Sequence, residues 1–177
     1  MRKEIIEKIE IPSGIEVELA VDELKLKKEG KEVSRKFSGF KIRKEDNSLI
    51  LECKTATKKE KKSIKTTKAH IINMIKGLEK KFIYKLQICA VHFPMTTTYD
   101  KAKHEFVIKN FLGGVKPRIA KILPEVEIKV DKEIITVESH DKEKAGQTAA
   151  NIEKSVKISN KDRRVFQDGI YITEKPE

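Results

Sequence analysis

Through residues 1–50 apolar and polar side chains alternate in short runs. Ile15-Glu16-Val17-Glu18-Leu19 sets Ile15, Val17 and Leu19 on one face of an extended chain, as a half-buried strand requires. Phe40-Lys41-Ile42 and Ser48-Leu49-Ile50-Leu51-Glu52 predict two further strands, with turns at Gly30 and Asn47-Ser48. Then the period changes. From Lys59 to Leu78, Ile64, Ile71, Ile75 and Leu78 follow one another at spacings of 7, 4 and 3, which line one face of a helix. Gly77 falls in its last turn, and Phe82–Ile88 alternates again as a strand.

The second half repeats the plan. Phe106-Val107-Ile108, Val126–Val130 and Glu133–Val137 predict strands. Asp141–Lys157 predicts a helix, with Ala145, Ala149, Ile152 and Val156 spaced by 4, 3 and 4. Gly169-Ile170-Tyr171-Ile172 predicts a closing strand. At an offset of 81, Thr67, Ala69, Ile71 and Ile75 match Thr148, Ala150, Ile152 and Val156. Strands, one helix and a closing strand thus occur twice. The expected fold is α+β: two duplicated domains, 1–83 and 84–177, each a mostly antiparallel sheet packed with one helix.

Charge narrows the partner. Lys and Arg number 39 against 28 acids, a net +11 and a pI near 9.5. Such an excess favours a polyanion. No apolar run nears the ~20 residues of a spanning helix, and Met1–Lys8 lacks the apolar stretch of a signal peptide. Cys53 and Cys89 form no disulfide framework, as expected in a reducing cytoplasm. Residues 1–90 carry 23 bases and 14 acids, whereas the remainder carries 16 and 14. Segregation hides two basic patches in that remainder. Lys109, Lys116, Arg118 and Lys121 stand in an acid-free stretch, 106–121. Lys154, Lys157, Lys161, Arg163 and Arg164 crowd 154–164 against Asp162 alone. A third cluster, Lys58, Lys59, Lys61, Lys62, Lys65 and Lys68, opens the first helix, where positive charge opposes the macrodipole.

Catalytic and metal chemistry finds little support. Cys89 and His92 form one C-x-x-H pair, but a structural zinc wants four ligands. His140-Asp141 near Glu138 reads as a turn before the second helix. Asn110–Gly114 lacks the spacing and the trailing Ser or Thr of a phosphate-binding loop. The expectation is a non-enzyme without metal or cofactor.

Several stretches resemble the archaeal form of the L6 family of large-subunit ribosomal proteins. They are Gly30–Val33 with Arg35 and Phe37, Asn73–Gly77 followed by Tyr84-Lys85-Leu86 and Val91-His92-Phe93-Pro94, Lys109–Gly113, and Lys161–Tyr171. The last carries the pattern Arg-x-Phe-x-Asp-Gly-Ile-Tyr. Gly114 departs from the family, which usually has an acid there. The resemblance implies a duplicated α+β fold, bound in the cytoplasm to large-subunit ribosomal RNA near the sarcin–ricin loop and stalk base. Neighbouring subunit proteins and GTPase translation factors would lie nearby, with no membrane and no DNA.

It also implies that the second domain is the main RNA binder. The expected contacts are Lys109, Asn110, Lys116, Arg118 and Lys121, then Lys157, Ser159, Asn160, Lys161, Arg163 and Arg164, and finally Asp168, Gly169 and Tyr171. The Lys58–Lys68 cluster reads either as a solvated helix start or as a secondary contact. Within the final motif, Arg164 suits a phosphate or a base face, and Phe166 is expected to pack under the sheet. Asp168 either caps its turn or orients Arg164, and Tyr171 is either core or RNA-facing. The alternatives are a non-ribosomal RNA-binding or ribosome-assembly factor and, further off, a metal-dependent nuclease.

Overall fold

A computed structural model describes residues 3–20, 22–45, 47–162 and 164–176. The chain divides at Lys80/Lys81 into two units; the sequence had suggested a boundary after residue 83.

The first unit contains β1 (Lys3–Glu10), β2 (Glu16–Leu19), β3 (Glu23–Lys28), β4 (Lys31–Lys36), β5 (Lys41–Glu45), β6 (Ser48–Ala56) and α1 (Lys58–Glu79). Two antiparallel sheets form, ordered β1-β6-β5 and β2-β3-β4. Leu24 and Leu26 of β3 and Leu49 and Leu51 of β6 are buried with Ile64, Ile71 and Leu78 of α1. Each such side chain contributes about 1.5–3 kcal/mol by leaving water. Thr57 caps α1, accepting from Lys59 N, while Glu60 accepts from the Thr57 backbone N–H. That reciprocal box supports a helix start crowded with lysines.

The second unit repeats this wiring. It contains β7 (Phe82–Cys89), β8 (Thr96–Asp100), β9 (Glu105–Lys109), β10 (Arg118–Lys121), β11 (Glu127–Asp131), β12 (Ile134–Ser139), α2 (Lys142–Ser155) and β13 (Gly169–Glu174). Its sheets run β11-β12-β7-β13 and β10-β9-β8. Counted from the start of each unit, the first strand pairs with the sixth and the sixth with the fifth. The second, third and fourth strands form their own sheet in both. The matched helix positions agree too: Thr67 and Thr148, Ile71 and Ile152, and Ile75 and Val156 are all buried. This is a duplicated α+β architecture.

The strand expected at Phe82–Ile88 spans Phe82–Cys89 and lies wholly in the second unit's sheet, between β12 and β13, so it does not close the first unit. Among the described residues only the second unit has a strand after its helix in its own sheet.

Candidate nucleic-acid interface

Strand register gathers three loops at one end of the second unit. Gly169 pairs with Cys89, so β7 ends where β13 begins. Thr96 pairs with Lys109 and Arg118 with Ile108, so β8 and β10 begin where β9 ends. Segments 90–95 and 110–117 join strands there, and the stretch that follows α2, described at 156–162 and 164–168, enters β13 there. Side chains then tie them together. Asn110 Nδ2 donates to the Pro94 carbonyl at 3.0 Å. A Cβ placed on Gly113, whose φ is +74°, would sit 3.5 Å from the Phe93 ring.

Asp168 is the tightest of these ties. It is 1% exposed and accepts from the backbone N–H of Val91 and of His92, both at 2.9 Å. Its second oxygen lies 2.5 Å from His92 Nδ1. Burial pushes the carboxyl's pKa up. The His92 and Val91 bonds and the His92 charge together outweigh it, and the net shift is downward. The carboxylate therefore neither caps its turn nor orients Arg164, as the sequence had suggested; its oxygens are spent internally and do not face a ligand. The His92 ring stacks on Phe166 at 4.9 Å between centroids, with Lys161 Nζ 4.3 Å from the centre of the Phe166 ring. Phe166 was expected under the sheet. It lies instead in the loop cluster, because a histidine far away in sequence supplies its partner.

The expected cations fall into groups. On β9 and β10, Phe106, Ile108, Ala120 and Arg118 share the inward face. Lys109, Val107, Ile119 and Lys121 share the outward one. Arg118 thus turns away from the two lysines. It donates to the Ser155 carbonyl at 3.0 Å and covers the Phe111 ring at 4.6 Å, complementing the C-terminal dipole of α2. Asn110 is spent on Pro94. Lys109, Lys116, Lys121, Lys157 and Lys161 are exposed, and no acid pairs with them among the described residues. Ser159 and Asn160 are exposed beside Lys157. Arg164 is 93% exposed, with Asp162 4.0 Å away. Arg163 lies outside the described residues.

In the first unit, Lys58, Lys59, Lys61, Lys62 and Lys65 are exposed on α1. Lys68 leaves that cluster by pairing with Glu7 at 2.6 Å, a bond that holds the Glu7 carboxyl below its ordinary range. Asp141 caps α2 by accepting from Glu143 N at 2.8 Å. Cys89 and His92 are not joined by further ligands: no group of three or more His, Cys, Asp or Glu is placed to hold a metal among the described residues.

Sequence pattern alone did not single out the side chains that stand out of this cluster, Val91, Phe93, Val115 and Val165, each at least 48% exposed. The available signal was apolar residues in segments rich in Gly, Pro and Lys, where no strand face awaits them.

Residues 11–81 and 100–169, one stretch for each unit, match the family described as Ribosomal protein L6. The chain belongs to the ribosomal protein L6 family. It is 45% identical to large ribosomal subunit protein uL6 of Staphylothermus marinus, over 95% of this chain and 93% of that one. It is 43% identical to the proteins of that name from Desulfurococcus amylolyticus, over 98% and 96%, and Methanobrevibacter smithii, over 97% and 96%. The chain is of the archaeal L6 type, a structural ribosomal protein and not an enzyme, and its place is the cytoplasm, on the ribosome.

The L6 signature at the C-terminus has a local reason for its glycine. Tyr171 folds back so that its hydroxyl donates to the carbonyls of Gln167 and Asp168, at 3.2 and 3.4 Å. A Cβ on Gly169 would meet the Tyr171 ring at 3.0 Å, closer than carbon atoms pack. Gly169 is itself buried, so its part is to admit the tyrosine and not to touch a ligand. Gly169→Ala is expected to destabilise the protein by about 1–3 kcal/mol through overpacking, read as a lower urea midpoint. An unchanged midpoint would show that the tyrosine swings aside freely.

Proposed function

We propose that this L6-family chain binds large-subunit ribosomal RNA through the loop end of its second unit. The contact lies near the sarcin–ricin loop and stalk base, where it buttresses the region on which GTPase translation factors dock. Neighbouring subunit proteins and the stalk base flank it. The observation that carries this reading is the convergence of the three loops. Lys116, Lys157, Lys161 and Arg164 stand on segments knitted to one another, and the buried Asp168 does not face the ligand. Lys116, Lys157 and Lys161 have no acid partner among the described residues, and Arg164 only the exposed Asp162 at 4.0 Å, so they grip phosphates with little internal pairing to break first. Lys109 and Lys121 extend the contact along the outer face of β9 and β10. The exposed lysines of α1 make a secondary contact.

Crosslinking within intact large subunits tests the assignment. Crosslinks to RNA are expected at residues 109–121 and 157–164. Crosslinks confined to α1, or none in the second unit, would overturn it.

A further inference from the structure

From the loop end of the second unit we infer that its RNA site reads nucleobase or ribose faces as well as phosphates, through Val91, Phe93, Val115 and Val165. The inference rests on the RNA-binding reading above and deepens it. These four side chains are 68%, 48%, 98% and 59% exposed. Three of them stand on anchored backbone: Val91 by the bond from its N–H to Asp168, Phe93 against Gly113, and Val165 beside the Phe166 that stacks on His92. Large apolar groups fixed in water at one end of a unit mark an interaction surface.

The surrounding charge decides the occupant. Lys116 follows Val115 directly, Arg164 precedes Val165, and Lys161 lies over Phe166. The one exposed acid of these loops, Asp162, accepts from the backbone N–H of Arg164. Protein–protein interface cores are depleted in lysine, so a protein surface fits this mixture poorly. An RNA loop or bulge fits it well, because its unstacked bases are flat apolar surfaces set within a polyanion. A plain A-form duplex would present phosphates and leave these side chains idle.

Two classes of variant separate the modes. The full chain is titrated against a transcript spanning the sarcin–ricin loop and stalk base, at several salt concentrations. Val115→Ser with Val165→Ser is expected to weaken binding about 5- to 20-fold at every salt concentration, through lost apolar burial, with an unchanged slope of log K against log salt. Phe93→Leu, which keeps bulk against Gly113 but loses the ring, is expected to weaken it about tenfold in the same manner. Lys116→Ala, by contrast, is expected to lower the slope by about one. If the apolar variants bind the transcript like the parent chain, the inference fails while the RNA reading stands. It fails equally if those variants lose only a neighbouring protein in reconstituted subunits. If the parent chain itself binds without salt dependence, the RNA reading falls, and this inference with it.

Discussion

Asp168→Ala is expected to lower the melting temperature of the second unit by roughly 10–20 °C. Removing the carboxylate, itself 1% exposed, leaves the part-buried backbone N–H groups of Val91 and His92 without their acceptor. An orphaned buried donor costs about 1–3 kcal/mol, and more where the lost partner was charged. For a unit of this size each kcal/mol corresponds to about 4–8 °C. Asp168→Asn keeps one acceptor oxygen and should lose about half as much. The substitution also severs the loop carrying Val91, His92 and Phe93 from the loop carrying Lys161 and Arg164, so RNA affinity should fall together with protection of the Val91 and His92 amides from exchange. Melting at the parent temperature, with both amides still protected, would show that Asp168 ties nothing.

The same carboxylate gives stability a pH dependence of known sign. Burial opposes its charge, but the bonds from His92 and Val91 prevail and its folded pKa lies below the ordinary value of 3.8. A depressed carboxylate contributes stability that is fully present above its unfolded pKa and is lost as pH falls through the folded one. Acidification below about pH 4 should therefore loosen the parent protein by an increment that Asp168→Ala lacks.

What was legible in the sequence follows from the range of the forces involved. The two helices announce themselves because Ile64, Ile71 and Leu78, and Ala145, Ala149 and Ile152, repeat at the helical period within a single window. The duplication is legible at Thr67 and Thr148 because both stand at equivalent buried helix positions. By contrast β8, with the sequence Thr96-Thr97-Thr98-Tyr99-Asp100, carries almost no apolar alternation and exists through its pairing with β9. In β3, Leu24 and Leu26 do alternate, yet the surrounding lysines and glutamates mask them until α1 covers that face. The candidate site divides in the same way. Lys157, Lys161 and Arg164 could be named from charge segregation alone. The role of Asp168 could not, because its partners lie 76 and 77 residues away and only strand register brings them into reach. Phe166 was misplaced for the same reason: nothing near it in sequence reveals that His92 arrives beside it.

Replacing Lys116, Lys157, Lys161 and Arg164 together by Gln is expected to abolish measurable RNA binding at physiological salt while leaving the fold intact. The parent chain, if about six phosphates are engaged, should bind roughly a thousandfold more weakly at about 200 mM salt than at about 50 mM. Each phosphate contact removed should flatten that dependence by nearly one unit of slope, so the quadruple variant should retain only the shallow dependence due to Lys109, Lys121 and any unaltered neighbour. The fold should survive because these side chains are exposed and no internal acid relies on them, Asp162 near Arg164 excepted; exposed substitutions of this kind shift stability by about 0.5 kcal/mol or less each. Arg118→Gln makes the informative contrast. Its guanidinium holds the Ser155 carbonyl and covers Phe111, so its loss should cost stability first and affinity only through the displaced end of α2. Should the quadruple variant keep both the parent affinity and the parent slope, the loop end is not where the polyanion binds, and the exposed lysines of α1 become the surface to alter next.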